Sequence, residues 1–140
     1  QDRSSAAADV YKRQPEDTIE VWGDGLQTRS FCYVDDCVEG LRRLMESGYN
    51  LPMNLGTSEL VTINELVDTI ADVSNKSIKK RHDLTKPQGV RGRNSDNTVL
   101  AEVLQWEPSI TLRQGLERTY PWIWEQMDHE GRAKKPVSTT

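Results

Sequence analysis

The sequence has 140 residues, enough for one domain, and its composition argues against several classes of protein. Hydrophobic residues make up 35%, charged residues make up 29%, and the formal net charge is -4. Clustered aliphatic residues with so small a net charge exclude intrinsic disorder of the whole chain. A slightly acidic chain is also not expected to bind nucleic acid, which usually requires a basic surface. No apolar run approaches the ~20 residues that span a bilayer. We therefore expect neither a nucleic-acid partner nor a membrane partner.

Order is expected to begin near residue 18. Residues 1–14 have neither apolar periodicity nor a turn signal leading into the next segment, so residues 1–17 are predicted to be a disordered or non-native leader. Helix and strand patterns then alternate through residues 18–130, which we take as the folded domain. The polar stretch of residues 131–140 is predicted to be a disordered tail.

Two short strands and an amphipathic helix are predicted first. The run from Ile19 to Trp22 favours a strand that ends in a glycine-rich turn, and the aromatic and β-branched residues from Ser30 to Val34 favour a second strand. Asp35 or Asp36 is then expected to cap a helix, and Gly48 should end it. An apolar stripe at helical spacing should pack against a core. The stripe consists of Val38, Leu41, Leu44 and Met45.

The middle of the domain is predicted to be strand, helix and strand. The run from Pro52 to Gly56 favours a short strand. Thr62 and Glu65 have the spacing of a capping box, in which each side chain bonds a free backbone N–H of the other residue, so a helix should begin there. The run from Ile78 to His82 favours an edge strand whose lysines discourage further pairing. The predicted buried face of the helix consists of Ile63, Leu66, Val67, Ile70 and Val73.

Two further helices follow a polar, glycine-containing loop. Asp96 or Asn97 is expected to cap a short helix. Thr111 and Gln114 form a second capping-box pattern and predict a longer helix, which Pro121 should kink or divide. Alternating helices and short strands predict a small, helix-rich α/β fold and not a complete doubly wound sheet.

Two loops carry arginine close to glycine and are candidate phosphate-binding elements. The first loop contains Gly25 and Arg29, and the second contains Gly92 and Arg93. Glycine lets the backbone approach a ligand, and a guanidinium group donates paired hydrogen bonds to phosphate oxygens. Each such contact contributes roughly 1.5–3 kcal/mol, so two converging arginines could hold a diphosphate. The alternative is that Arg29 pairs with an acidic residue of the next helix and that the arginines of the second loop are solvated.

Other sites have weaker sequence support. The segment from Gly23 to Thr28 departs from a dinucleotide-binding fingerprint, because Thr28 occupies the place of the third glycine. No tyrosine is followed four residues later by a lysine. Cys32 and Cys37 have no Cys or His neighbours at ligand spacing, so we expect plain buried thiols in a reducing, cytoplasmic setting. The chain is thus predicted to hold no catalytic, cofactor-binding or metal-binding residues.

The segments around both arginine loops resemble a known family. The runs from Val21 to Phe31 (VWGDGLQTRSF), from Val34 to Gly40 (VDDCVEG) and from Gly89 to Asn97 (GVRGRNSDN) resemble the C-terminal part of the GDP-mannose 3,5-epimerases. These enzymes belong to the extended short-chain dehydrogenase/reductase group, the NAD-dependent epimerase/dehydratase family. The resemblance covers roughly Ile19 to Met127. It implies a C-terminal substrate-binding lobe from which the Rossmann domain is largely missing.

The resemblance also implies site residues and partners. Gln27, Thr28 and Arg29 would contact a sugar nucleotide, and Arg93 would bind its diphosphate. The parent enzyme would convert GDP-mannose to GDP-L-galactose as a homodimer, with NAD and the catalytic tyrosine and lysine held by the N-terminal domain, so this fragment should be inactive alone. The alternatives are another NDP-sugar epimerase or 4,6-dehydratase of the same family, or a non-catalytic binding domain.

Overall fold

The computed structural model describes residues 18–129, so the predicted leader and tail lie outside the described residues. The described part contains five short strands and four helices. In chain order they are β1 (Thr18–Trp22), β2 (Thr28–Arg29), α1 (Val34–Ser47), β3 (Val61–Thr62), α2 (Ile63–Ser74), β4 (Lys79–Asp83), β5 (Gly92–Arg93), α3 (Thr98–Leu104) and α4 (Leu112–His129). The prediction of a helix-rich α/β fold is confirmed.

The strands form two small sheets. β1 pairs in parallel with β4, so that Thr18 lies opposite Lys79 and Trp22 lies opposite Asp83. In the second sheet β2 is central, because it pairs antiparallel with β3 and parallel with β5. β1 and β4 correspond to the first and last strands predicted from the sequence.

The hydrophobic core lies on one face of α2. The predicted capping box is present: the backbone N–H of Glu65 donates to Thr62 Oγ1 at 3.1 Å, and the backbone N–H of Thr62 donates to Glu65 Oε2 at 2.7 Å. Leu66, Val67 and Ile70 are buried, and they pack α2 between β1 and the start of α4. The predicted buried face of this helix is confirmed at these three positions, while Ile63 and Val73 at its two ends are half-buried.

The inward face of α1 has different chemistry. Gly40 lies so close to Leu55 that an added Cβ would come within 2.5 Å of a methyl carbon of that side chain. Asp36 is buried, and its Oδ2 accepts hydrogen bonds from the backbone N–H groups of Ser109 at 2.9 Å and Ile110 at 2.7 Å. Gly40 therefore lets α1 approach the segment that follows it, and Asp36 holds α1 against the segment that leads into α4.

The predicted cap of α1 is wrong, although its end is confirmed. The helix begins at Val34, and the cap position is Tyr33, whose side chain makes no capping hydrogen bond. Asp36 is committed to the loop before α4, and Asp35 lies in the first turn, where an acidic side chain interacts favourably with the helix dipole. Gly48 ends α1 in the left-handed conformation with φ 69°.

The predicted packing of the α1 stripe is also wrong. Val38 is 59% exposed, Leu41 is 50% exposed and Met45 is 85% exposed, while Leu44 is half-buried. Val34, which precedes Val38 by four residues, is 60% exposed. Because Asp36 and Gly40 face the interior, the stripe formed by Val34, Val38, Leu41 and Met45 faces outward, and within residues 18–129 nothing covers it.

Two predicted strands are not formed within residues 18–129. The segments from Ser30 to Tyr33 and from Pro52 to Leu55 have no strand assignment, and the second sheet uses Thr28–Arg29 and Val61–Thr62 instead. A strand needs a hydrogen-bonded neighbour, and β-propensity expresses how a side chain fits a sheet more than a preference of the isolated backbone. Composition alone could not show that these segments lack such a neighbour here.

The last two helices begin where the sequence predicts. Asn97 is the cap residue of α3, although its side chain makes no capping bond, and Asp96 Oδ1 accepts from the backbone N–H of Thr98 at 3.0 Å. At α4 the backbone N–H of Thr111 donates to Gln114 Oε1 at 3.0 Å, and the reciprocal bond is 3.3 Å long, so the second capping box is confirmed. α4 continues through Pro121, so the helix is not divided there.

Candidate functional site

β2 and β5 bring the two arginine loops together. In this parallel pair Arg29 lies opposite Arg93, and Thr28 lies opposite Gly92. The backbone N–H of Thr28 donates to the carbonyl oxygen of Arg91 at 2.8 Å. Paired strands lie roughly 4.8 Å apart, and directly opposite side chains share a face of the sheet. Two guanidinium side chains, 64 residues apart in the chain, therefore emerge side by side.

Both arginines line one cavity of ≈ 330 Å³, which we call the arginine cavity. Its walls come from three segments: the chain around β2, the segment after α1, and the chain around β5. The lining residues are Arg29, Ser30, Cys32, Asn54, Leu55, Gly56, Arg93, Asn94 and Ser95.

Short polar contacts hold two of these walls together. The side-chain amide of Asn97 donates to the carbonyl oxygen of Gly56 at 2.7 Å, and Ser95 Oγ donates to Asn97 Oδ1 at 2.7 Å. A Cβ added at Gly56 would come within 2.9 Å of the Ser95 Cβ. A side chain at residue 56 would therefore push the walls apart.

The positive charge in the arginine cavity is not neutralised by the described part of the chain. Within residues 18–129 no carboxylate lies within ion-pair distance of Arg29 or Arg93. Arg29 Nη1 donates to the carbonyl oxygens of Thr28 at 2.7 Å and Val90 at 2.9 Å, which orients the guanidinium. Like charges on opposite residues of paired strands are destabilising, so this arrangement favours binding an anion.

The alternative pairing of Arg29 with an acidic residue of α1 is not found. Asp36 accepts its hydrogen bonds from backbone N–H groups of the loop before α4. Asp35 lies 3.6 Å from Arg118 instead. Arg91 is also not a freely solvated charge, because it pairs with Asp24 at 2.8 Å.

The thiol of Cys32 adds no negative charge to the cavity. Both Cys32 and Cys37 are free and half-buried, which is less buried than expected. Burial, above all, raises the pKa of the Cys32 thiol, and the nearby Cys37 and Asp36 raise it further. At neutral pH Cys32 is therefore a neutral thiol, which is a weak nucleophile.

The other two residues assigned by resemblance lie beside the cavity and do not line it. Gln27 is 6% exposed; its Nε2 donates to the carbonyl oxygen of Trp22 at 3.1 Å, and its Oε1 has no hydrogen-bond partner within residues 18–129. Thr28 points towards Gly92, where a Cβ would come within 2.9 Å of its hydroxyl oxygen. Contact of Gln27 and Thr28 with a sugar nucleotide stays a prediction.

The glycine turn after β1 does not fit a dinucleotide. A Cβ on Gly23 would come within 2.1 Å of the Gln88 side chain, and one on Gly25 within 2.2 Å of Asn64. Protein side chains therefore already lie where these glycines allow close approach. The turn also leads to the two-residue strand β2, whereas a pyrophosphate site of this kind needs a helix N-terminus.

Neither a metal-binding cluster nor a membrane-spanning helix is present within residues 18–129. Within residues 18–129 no group of three or more His, Cys, Asp and Glu side chains could hold a metal ion. Among the helices of that range, none is both long enough and apolar enough to cross a bilayer.

Part of the cavity wall was missed by sequence reasoning. Asn54 and Gly56 lie in a segment that the sequence predicts to be a strand. Asn94 and Ser95 lie in the second arginine loop, whose resemblance to the known family assigned a role to Arg93 and to neither of them. Glycine at a strand end and a run of small polar residues were available signals, but neither indicates which segments meet in space. The structure supplies that juxtaposition.

Comparison with known proteins places these loops in a family context. The family model described as GDP-mannose 4,6 dehydratase matches residues 4–119. GDP-mannose 3,5-epimerase of Arabidopsis thaliana is 45% identical over 122 residues, which is 87% of this chain and 32% of that protein. UDP-glucuronic acid decarboxylase 5 of the same organism is 43% identical over 100 residues, which is 71% of this chain and 29% of that protein.

A solved structure shares the fold. It is UDP-glucuronic acid 4-epimerase of Bacillus cereus in complex with UDP-glucuronic acid and NAD, with a TM-score of 0.78 and 29% identity. The similarity covers 88% of this chain and 40% of the other. The chain thus spans about a third of the length of the curated relatives described above.

Proposed function

The chain belongs to the GDP-mannose 4,6-dehydratase family, and from this premise we propose that it is the sugar-nucleotide-binding part of a GDP-mannose 3,5-epimerase. Nucleotide-sugar epimerases and related enzymes are the relatives that it matches. The 45% identity to the Arabidopsis enzyme, which includes both arginine loops in the matched region, supports GDP-mannose as the substrate.

The proposal rests on the paired arginines. Arg29 and Arg93 are register partners, both line the arginine cavity, and no carboxylate of the described residues neutralises them. A diphosphate carries negative charge on both phosphates and can accept hydrogen bonds from two guanidinium groups at once. A bound diphosphate would lie between the two guanidinium groups and replace their mutual repulsion with attraction to a shared anion.

In such an enzyme this chain would hold the part of the substrate that does not react. A fixed diphosphate limits the positions that the sugar can reach, and it keeps a reactive intermediate bound through successive steps. Asn54, Asn94 and Ser95 add neutral hydrogen-bonding groups to the same cavity. They suit the polar part of a sugar nucleotide next to the diphosphate.

The parent enzyme is proposed to be NAD-dependent, cytoplasmic and dimeric. NAD, which supplies hydride transfer when bound, would be held by residues outside this chain, because the glycine turn after β1 does not fit it. The Bacillus relative was solved with NAD and a nucleotide sugar, which supports the same pairing of ligands here. We expect no turnover by the isolated chain.

Calorimetric titration of the chain with GDP-mannose tests the proposal. Replacing either arginine by methionine (Arg29→Met or Arg93→Met) should weaken binding about tenfold to a hundredfold, because one charge-assisted contact of roughly 1.5–3 kcal/mol is lost. Raising the salt concentration should weaken wild-type binding as well. Arg113→Met is the matched control, since Arg113 pairs with Asp72 on the surface at 3.0 Å and does not line the cavity. Full affinity in both cavity variants would refute the proposal.

Protection of a thiol locates the bound ligand. Cys32 lines the arginine cavity and Cys37 does not, so GDP-mannose should slow alkylation of Cys32 and leave Cys37 unchanged. Peptide mass spectrometry after timed alkylation separates the two sites. Equal rates with and without ligand at Cys32 would place the ligand elsewhere.

The alternatives predict different titrations. Solved relatives bind UDP-glucuronic acid and UDP-glucose, so a UDP-sugar enzyme of the same group would bind a UDP sugar more tightly than GDP-mannose. A non-catalytic interaction domain would bind neither sugar nucleotide. Parallel titrations with GDP-mannose, UDP-glucuronic acid and UDP-glucose therefore separate a GDP-mannose enzyme, a UDP-sugar enzyme and an interaction domain. The product that a full-length relative forms from GDP-mannose separates a 3,5-epimerase from a 4,6-dehydratase.

A further inference from the structure

A largely solvent-exposed ion pair joins the two arginine-bearing loops next to the cavity. Arg91 Nη1 lies 2.8 Å from Asp24 Oδ2 and 3.0 Å from Asp24 Oδ1, and it also donates to Gln88 Oε1 at 3.3 Å. Asp24 belongs to the turn before β2, and Arg91 immediately precedes β5. We call this pair the Asp24–Arg91 clasp. It does not line the arginine cavity.

On one side, the clasp fixes the loop that orients Arg29. Val90 and Arg91 are consecutive, and the Val90 carbonyl oxygen accepts from Arg29 Nη1 at 2.9 Å. The Arg91 carbonyl oxygen accepts from the backbone N–H of Thr28 at 2.8 Å. A displacement of Arg91 would therefore move both the acceptor of the Arg29 guanidinium and the start of the β2–β5 pair.

On the other side, the clasp is anchored to a well-connected turn. The Asp24 carboxylate also accepts from the backbone N–H of Leu26 at 2.9 Å, and the Asp24 carbonyl oxygen accepts from the Asn64 side chain at 3.1 Å. Asn64 also donates its backbone N–H to the carbonyl oxygen of Gly25 at 3.0 Å, and its Oδ1 lies 2.8 Å from His82 Nε2. The turn is thereby hydrogen-bonded to α2 and, through Asn64, to β4, and these elements anchor the clasp.

We propose that Asp24 is a positioning residue for diphosphate binding, acting through Arg91 and the Val90 carbonyl group to aim Arg29 into the cavity. This inference rests on the proposed function. Its physical basis is preorganisation: a guanidinium that is already aimed loses less conformational freedom when the ligand binds. The clasp also keeps Arg91 itself, a third positive charge, engaged outside the cavity.

Two substitutions at Asp24 separate the effect of its negative charge from the effect of its hydrogen bond within the turn. Asp24→Asn keeps an oxygen that can accept from the Leu26 N–H and removes the charge, whereas Asp24→Glu keeps the charge and disturbs the short turn. We expect Asp24→Asn to weaken GDP-mannose binding about twofold to fivefold, the scale of an exposed ion pair, and Asp24→Glu to restore part of the loss. If the Asp24→Asn variant binds GDP-mannose as tightly as wild type and the Asp24→Glu variant binds it more weakly, the turn and not the charge determines affinity. That result would overturn the inference.

A second measurement tests whether Asp24 acts through Arg29. The Asp24→Asn substitution should have little effect in the Arg29→Met background, because the guanidinium that it positions is gone. Glu20→Gln is the control: it breaks an exposed ion pair with Arg81, at 2.6 Å between paired strands β1 and β4, and should leave binding unchanged. An equal loss in the wild-type and Arg29→Met backgrounds would show that Asp24 has only a structural role.

The two proposals fail in distinguishable ways. If Arg29→Met and Arg93→Met retain full affinity, the diphosphate site itself is refuted. If those variants lose affinity while Asp24→Asn binds as tightly as wild type, or more tightly, the site stands and the clasp does not position it.

Discussion

Helices α1 and α2 have the same kind of apolar periodicity and meet opposite environments. In α2 the apolar positions Leu66, Val67 and Ile70 are 2%, 0% and 4% exposed. In α1 the stripe that includes Val38 and Met45 faces outward, and the inward face is built from a glycine and a buried carboxylate. Periodicity thus predicts that a helix forms and that one of its faces is apolar, but it does not show what covers that face.

The largest expected difference between the helices comes from matched valines. Val67→Asp should lower the free energy of unfolding by about 3–5 kcal/mol, because it buries an unpaired carboxylate. Val38→Asp should change it by no more than about 0.5 kcal/mol, because Val38 is 59% exposed. Urea denaturation of both variants measures the difference. If Val67→Asp does not fold, Val67→Ala should still be clearly less stable than Val38→Ala, and equal losses would contradict the assignment of the core.

A smaller difference is expected for two adjacent carboxylates in α1. Asp36→Ala should lower the free energy of unfolding by about 2–3 kcal/mol, because two backbone N–H groups, those of Ser109 and Ile110, lose their acceptor. Asp35→Ala should cost about 1 kcal/mol or less, since it removes an exposed pair with Arg118 at 3.6 Å and a favourable interaction with the helix dipole. Thermal or urea denaturation of the two variants gives the values. Similar losses in both would show that Asp36 does not hold α1 in place.

The smallest expected effect concerns the acidic residues of the two helices. Hydrogen bonds from Arg42 first, and then Arg43, hold the pKa of Glu39 in α1 at about 2, below the ordinary value of 4.5. The pKa of Glu65 in α2 is lowered instead by hydrogen bonds from the backbone and side chain of Thr62. Because both values are depressed, each contribution to stability is fully present above pH 4.5 and is lost as the pH falls through the folded-state pKa.

The salt dependence of the two pKa values distinguishes pairing with charged groups from hydrogen bonding to neutral groups. In carboxyl NMR titrations, 1 M salt should raise the midpoint of Glu39, whose partners are charged, and leave that of Glu65 nearly unchanged, because its partners are neutral. The Glu39→Gln variant identifies the resonance. A shift of the same size at both residues would mean that charge pairing does not lower the pKa of Glu39.

Features that depend on residues close together in the sequence were mostly predicted correctly, and features that depend on distant residues mostly were not. The capping boxes at Thr62 and Thr111 join residues three apart, and the structure contains both. The strands predicted from Ser30 and from Pro52 needed partners that lie far away in sequence, and they did not form. Propensity contains no information about such partners.

The same distinction applies to the candidate site. Spacing alone could not place Arg29 beside Arg93. The resemblance to a known family indicated that both residues bind the substrate, and only the structure shows that they are opposite each other in paired strands. No local pattern indicated that Arg91 would pair with Asp24, since 67 residues separate them. Charge pairs of this kind arise only once the chain has folded.

The shortness of β5 has a consequence for how the site opens. The strand has two residues, both exposed, and its pairing with β2 joins segments far apart in sequence. Separating them requires far less than global unfolding, so these amides should exchange with solvent earlier than those of α2. A bridging anion would cross-link the strands through their side chains, so slower amide exchange at Thr28 in the presence of ligand would report occupancy.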